Sequence, residues 1–255
     1  MPRRVRRIIG VAPVALSLVL LACGAPSHLP SAASSPRRTA GAVSPTPSPL
    51  PASVWVLTPL GLNLRSSPGT SAQVLATLAQ GAQLQVSGEV PAGSSGTAWL
   101  HVTLTSQGLA GYVVDDPTLV TSEPMSLHVE AASGYSNLFP SSWSLQEGNP
   151  AVMTAPPSEP LGPTLQIQTA ASTSQLMKVP TGPAQEIRQE SPVLVWGKTT
   201  YLTVYHLTSG NYEFAVQVQF TSLAMLFVYQ QPDRAGSDTT LFKQILGSVI
   251  VPGQS

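Results

Sequence analysis

The side chains that could do covalent or metal chemistry are few in this sequence. There is one cysteine, Cys23, and four histidines, His28, His101, His128 and His206. A thiol nucleophile needs an imidazole held beside it, and a zinc hydrolase needs clustered histidine and carboxylate ligands. The histidines show no His-x-x-x-His spacing. His101 falls on the polar side of a Leu100/Val102 alternation, which predicts an exposed strand residue. His206 follows Leu202 and Val204 on one strand face, which predicts a histidine at a sheet rim. Asp115 and Asp116 are paired carboxylates, but adjacent strand residues point to opposite faces, so they are expected to end a strand. No Gly-x-Ser-x-Gly elbow, phosphate loop or dinucleotide fingerprint occurs. Serines are too numerous for the sequence to decide about a Ser-His-Asp triad. The expectation is a protein that is not an enzyme, with no catalytic residue, no metal ligand and no cofactor.

Cys23 has a more specific setting. The segment from Pro2 to Arg7 is strongly basic, an apolar run from Ile8 to Leu21 follows, and small residues surround the cysteine. The run is 14 residues long, short of the roughly 20 that span a bilayer. This is signal-peptide architecture, and basic residues ahead of the run orient it with its start in the cytoplasm. Leu20-Leu21-Ala22-Cys23 resembles the bacterial lipobox. The resemblance implies cleavage after residue 22, lipidation of Cys23 and a membrane anchor. The alternative is an ordinary cysteine near a conventional signal-peptidase site. Four of the twelve basic side chains precede Cys23 and all twelve carboxylates follow it, so the chain beyond carries a net charge of −4. An acidic chain with no basic cluster argues against nucleic acid as a partner.

Residues 23–52 are rich in Ser, Pro, Ala and Thr, as in SPRRTAGAVSPTPSPLP. Such a segment cannot offset its ordering entropy by burying apolar surface, so it is expected to be a disordered tether. Extended it would reach about 90 Å, and as a coil about 30 Å.

Short alternating runs begin beyond residue 52. Leu62 and Leu64 alternate with Asn63 and Arg65, Leu84 and Val86 with Gln83 and Gln85, Leu100 and Val102 with His101 and Thr103. Period-two alternation bounded by glycine turns predicts short half-buried strands near 54–58, 62–65, 73–78, 82–90, 98–104 and 109–114. Gly111 is expected to permit a close backbone approach. The ordered set Leu62-Asn63-Leu64-Arg65, Pro68-Gly69, Val74 to Gly81, Trp99 with Val102, and Gly111-Tyr112-Val113 resembles the bacterial SH3-like (SH3b) family. Ser67 stands where the family has a turn glycine, Tyr112 where it has tryptophan, and Glu89–Ala98 is a long loop. The resemblance implies a small β-barrel over 53–122 that recognises peptidoglycan or a wall peptide. Arg65, Trp99 and Tyr112 would form its binding patch. The alternative puts both aromatics in the core and Arg65 against a loop carboxylate.

The texture changes after Pro124. Leu165 and Ile167 alternate with glutamines, while Pro180 and Pro183 interrupt the stretch from Ala171 to Gln189. Then Val193–Trp196, Thr200–Leu207, Tyr212–Phe220 and Leu223–Tyr229 give the strongest strand signal in the chain. The last of these is apolar on both faces, which predicts a central strand covered on both sides. Asp238 is expected to cap a short helix in which Phe242, Ile245, Leu246 and Val249 share a face, with Gly247 able to stop it. Tyr135 to Trp143, the meander and the closing Phe-x-x-Ile-Leu-x-Ser resemble the PsbP-like fold. That implies an antiparallel sheet flanked by helices over 125–255, and says nothing of a ligand.

The sequence therefore predicts a mainly β protein with an α+β part: an SH3-like barrel and a PsbP-like sheet. With a signal peptide at 1–22, it would be held by lipid on the extracytoplasmic face of the cell membrane. It would bind wall material without catalysing a reaction. An envelope hydrolase or a solute-binding lipoprotein, with its site in the C-terminal domain, is the alternative.

Overall fold

A computed structural model describes residues 49–92, 96–156, 162–232 and 239–253. The segment expected to be a signal peptide, Cys23 and most of the expected tether lie outside the described residues, as do Asp238 and the middle of the 89–98 loop. Among the described residues, no helix is long and apolar enough to cross a membrane.

The first sheet is built from β1 (Ser53–Val56), β2 (Leu62–Arg65), β3 (Val74–Leu78), β4 (Gln83–Val90), β5 (Trp99–Leu104), β6 (Leu109–Val114) and β7 (Val120–Thr121). Their order across the sheet is β3-β2-β6-β5-β4-β1-β7, and neighbouring strands pair antiparallel. One buried cluster takes Val54, Leu64, Leu78, Leu84, Val102 and Val113, from six of these strands, together with Val120 of the seventh. Seven strands can share one cluster only if the sheet curls around it. The period-two alternation fixes which residues face in, because a slip of one residue would turn every side chain over. Asp115 and Asp116 follow the end of β6, and Asp116 Oδ1 accepts bonds from the N–H and hydroxyl of Thr118, which turns the chain.

Next comes a two-stranded ribbon, β8 (Met125–Val129) and β9 (Ser136–Pro140). The second large sheet consists of β10 (Ser144–Gln146), β11 (Ala151–Thr154), β12 (Thr164–Ala170), β13 (Ala184–Val195), β14 (Lys198–Leu207), β15 (Asn211–Gln219) and β16 (Ala224–Pro232). Its order is β10-β11-β12-β16-β15-β14-β13. The doubly apolar strand β16 is the middle one. Met225, Phe227 and Tyr229 enter the main core, while Ala224, Leu226 and Val228 enter a smaller cluster on the opposite face.

Helix α1 (Thr240–Gly247) covers the first face with Phe242, Ile245 and Leu246. Tyr229 stacks between Trp143 and Phe242, with ring centroids 6.3 and 5.3 Å away. The second face is covered by the proline-interrupted stretch. It holds a single 3-10 turn at Thr173–Gln175 and then lays Leu176, Met177 and Val179 on the sheet. Buried Glu213 pins it there: its carboxylate accepts bonds from the Thr181 N–H and hydroxyl and from Gln230 Nε2. Sequence reading starts β13 at Val193, whereas the strand begins at Ala184 and absorbs a register shift between Gln189 and Pro192. An edge strand tolerates that proline because one side of its ladder is unpaired.

Candidate functional site

On the outer face of the barrel, Arg65 lies opposite Tyr112, and Tyr112 lies opposite His101. This cross-strand row is half-exposed. Arg65 Nη1 donates to the Ala72 carbonyl at 2.7 Å, so the guanidinium braces the turn between β2 and β3. His101 sits 4.8 Å from the Tyr112 ring, and its Nδ1 is 2.7 Å from Ser87 Oγ. The strands therefore bring Arg65 and Tyr112 together. They add His101, which sequence reading leaves as a plain exposed residue. Trp99 is two positions along β5 from His101 and is only 6 % exposed, so its ring is buried beside the row. A guanidinium, a phenol and an imidazole in line offer donors and aromatic faces to a short polar chain.

The other two described histidines are set among tyrosines. His128 is buried, with Nε2 3.4 Å from the Tyr135 hydroxyl. Its Nδ1 lies 3.5 Å from Glu147 Oε1 without a hydrogen bond. Burial, and after it the carboxylates of Glu130 and Glu147, raises the Tyr135 hydroxyl well above its usual range. His206 stacks on Tyr212 with centroids 4.6 Å apart. Among the described residues, no three His, Cys, Asp or Glu side chains converge on a metal-sized site.

A third feature has no counterpart in the sequence reading. A cavity of about 550 Å³ opens between the barrel and the second sheet. The barrel contributes the Thr58–Leu60 turn and Leu119, the β13–β14 hairpin contributes Val193, Leu194 and Trp196, and α1 contributes Lys243, Leu246 and Gly247. The hairpin tip is a two-residue loop, since Val195 pairs with Lys198. Both loop residues have positive φ, 44° at Trp196 and 76° at Gly197, as the tight turn that matches strand twist requires. Asn, Asp or Gly suits its first position. A larger residue held left-handed there costs about 1–3 kcal/mol. A tryptophan in a strained conformation, lining an apolar cavity, is a candidate for a binding role. Because the residues come from three distant stretches, only the Trp196-Gly197 pair, an aromatic where a turn residue belongs, gives a sequence signal.

No curated protein matches the chain. Among solved structures, the solution structure of cyanobacterial PsbP (CyanoP) from Synechocystis sp. PCC 6803 is similar at 15 % identity and a TM-score of 0.36. That match covers 50 % of this chain and 92 % of the other. Residues 60–116 match the family model described as Bacterial SH3 domain, so the chain carries a bacterial SH3 domain in its curled first sheet.

Proposed function

We propose that this protein is a lipid-anchored, extracytoplasmic component of the bacterial envelope that binds peptidoglycan or a wall peptide through its SH3 domain. In this reading it catalyses no reaction. One observation carries the proposal: residues 60–116 match the bacterial SH3 family, and that same region presents the Arg65-Tyr112-His101 row outward. The lipobox-like Leu20-Leu21-Ala22-Cys23 supports the anchor. Cell-wall peptides offer carboxylates and amides, which the guanidinium, phenol and imidazole can engage by charge-assisted and neutral hydrogen bonds.

Both halves can be tested together. The full chain and an Arg65→Ala/Tyr112→Ala variant are expressed in bacteria supplied with labelled palmitate, then purified and mixed with isolated sacculi. Wild type is expected to carry label that Cys23→Ala removes, and to pellet with sacculi several-fold more than the double variant. Unlabelled wild type would refute the anchor. Equal pelleting of wild type and double variant would refute the site.

A further inference from the structure

We infer that the Arg65-Tyr112-His101 row selects peptide segments that carry a free carboxylate, and rejects the same segments once that carboxylate is amidated or cross-linked. The inference rests on the wall-binding reading and adds what the row recognises in the wall. Residues 53–122 hold one basic side chain, Arg65, against three acidic ones, Glu89, Asp115 and Asp116. The sole cation of an acidic domain thus stands in the row, and it is half-buried. None of those carboxylates pairs with it: its side chain makes one bond, from Nη1 to the Ala72 carbonyl. A guanidinium has five N–H donors in a planar fork, so most of them are left for a planar anion. A partly desolvated charge without a counterion carries a cost that an arriving anion offsets.

The other two side chains set the length and polarity of the segment. His101 uses Nδ1 on Ser87 Oγ, while its Nε2 and the Tyr112 hydroxyl have no partner among the described residues. Arg65, Tyr112 and His101 stand on neighbouring strands, β2, β6 and β5. With about 4.8 Å between strands the row is about 10 Å long, the reach of about three extended residues. A carboxylate on Arg65 therefore leaves the next amides of the same peptide to the phenol and the imidazole. Converting that carboxylate to an amide removes its charge and with it the stronger, charge-assisted hydrogen bonds. A phosphate polymer would also satisfy the guanidinium, but it offers no amides to the rest of the row.

The test mixes the purified full chain with three preparations of isolated sacculi. One is untreated, one is stripped of phosphate polymers with hydrofluoric acid, and one is amidated with carbodiimide and methylamine. Pelleting is read at low salt, where ion pairs are least screened. Wild type is expected to pellet equally with untreated and stripped sacculi, and about two- to fivefold less with amidated ones, as for a partly exposed ion pair. The domain is acidic, so neutralising the wall would by itself strengthen attraction. Arg65→Gln should accordingly pellet no less with amidated than with untreated sacculi. The deciding comparison uses wild type throughout, so no loss of fold can produce it. The inference is overturned if amidation leaves wild-type pelleting unchanged, or if Arg65→Gln still loses binding on amidation. It is also overturned if stripping abolishes binding, which would make a phosphate polymer the ligand. Wild type that pellets with none of the three refutes wall binding itself, a result distinct from indifference to amidation.

Discussion

Arg65 shows how one residue can serve fold and surface together. Its guanidinium holds the β2–β3 turn through Ala72, yet its position in the register places it beside Tyr112 and, through it, His101. Glu213 is the opposite kind of residue. It looks like a solvent-facing member of the β15 alternation, yet it is fully buried, because the Thr181 segment crosses over it and donates to it. A buried carboxylate that accepts three or more bonds is poorly replaced by an amide, whose NH₂ would face other donors. Glu213→Gln is therefore expected to cost about 1–3 kcal/mol, measured as a lower urea midpoint with unchanged slope. A loss within about 0.5 kcal/mol, the range of ordinary surface changes, would show that the carboxylate does not hold that segment.

Among the elements, β2 and β6 approach each other closely at Gly111. A Cβ at Gly111 would lie 2.7 Å from the Arg65 carbonyl oxygen and 2.9 Å from Leu64 Cγ. The clash is with backbone, so it cannot be relieved by turning a side chain. Gly111→Ala is expected to destabilise by about 1–3 kcal/mol, as overpacking does, and to weaken sacculus binding by moving Tyr112 away from Arg65. Chemical denaturation and the sacculus assay both read this, and a variant as stable as wild type would contradict it. The SH3 family resemblance included this glycine, so the tight spot was legible from sequence. The length of β13 was not: its first half lacks the branched-residue density of its second. It is a strand because β14 offers it a partner.

At the scale of the whole molecule, a small buried cluster and a few hydrogen bonds, some of them partly exposed, tie the barrel to the β8–β9 ribbon and to α1. Leu138 of β9 joins Leu57 and Met125 in a small cluster, and the Leu138 N–H donates to Ser248 Oγ at 2.9 Å. Gln80, between β3 and β4, donates at 2.9 Å to the Leu57 carbonyl and at 2.6 Å to the Ser248 carbonyl. Gln244 of α1 donates to the Pro117 carbonyl at 3.0 Å. The end of α1 is thus a joint, and the cavity opens beside it. Wild type is expected to unfold in one transition seen alike by different probes. Leu138→Ala should cost about 2–5 kcal/mol, as large-to-small core changes do, and should split that transition in two. Retention of a single coincident transition would show that the tie lies elsewhere.

Local chemistry determined a good deal from sequence alone. Alternation every second residue named the barrel strands and their inner faces. The doubly apolar run of β16 announced a central strand, and Phe242, Ile245 and Leu246 marked the buried face of α1. Such features are legible because period and polarity are properties of neighbouring residues. Tertiary structure decided what depends on residues far apart in the chain. It buried Trp99, set His101 beside Tyr112 and put the acidic end of Glu213 under a crossing segment. It also gathered Leu60, Trp196 and Lys243 around one cavity. No spacing rule connects positions 60, 196 and 243, so their meeting is fixed only when the barrel turn, the β13–β14 hairpin and α1 pack together.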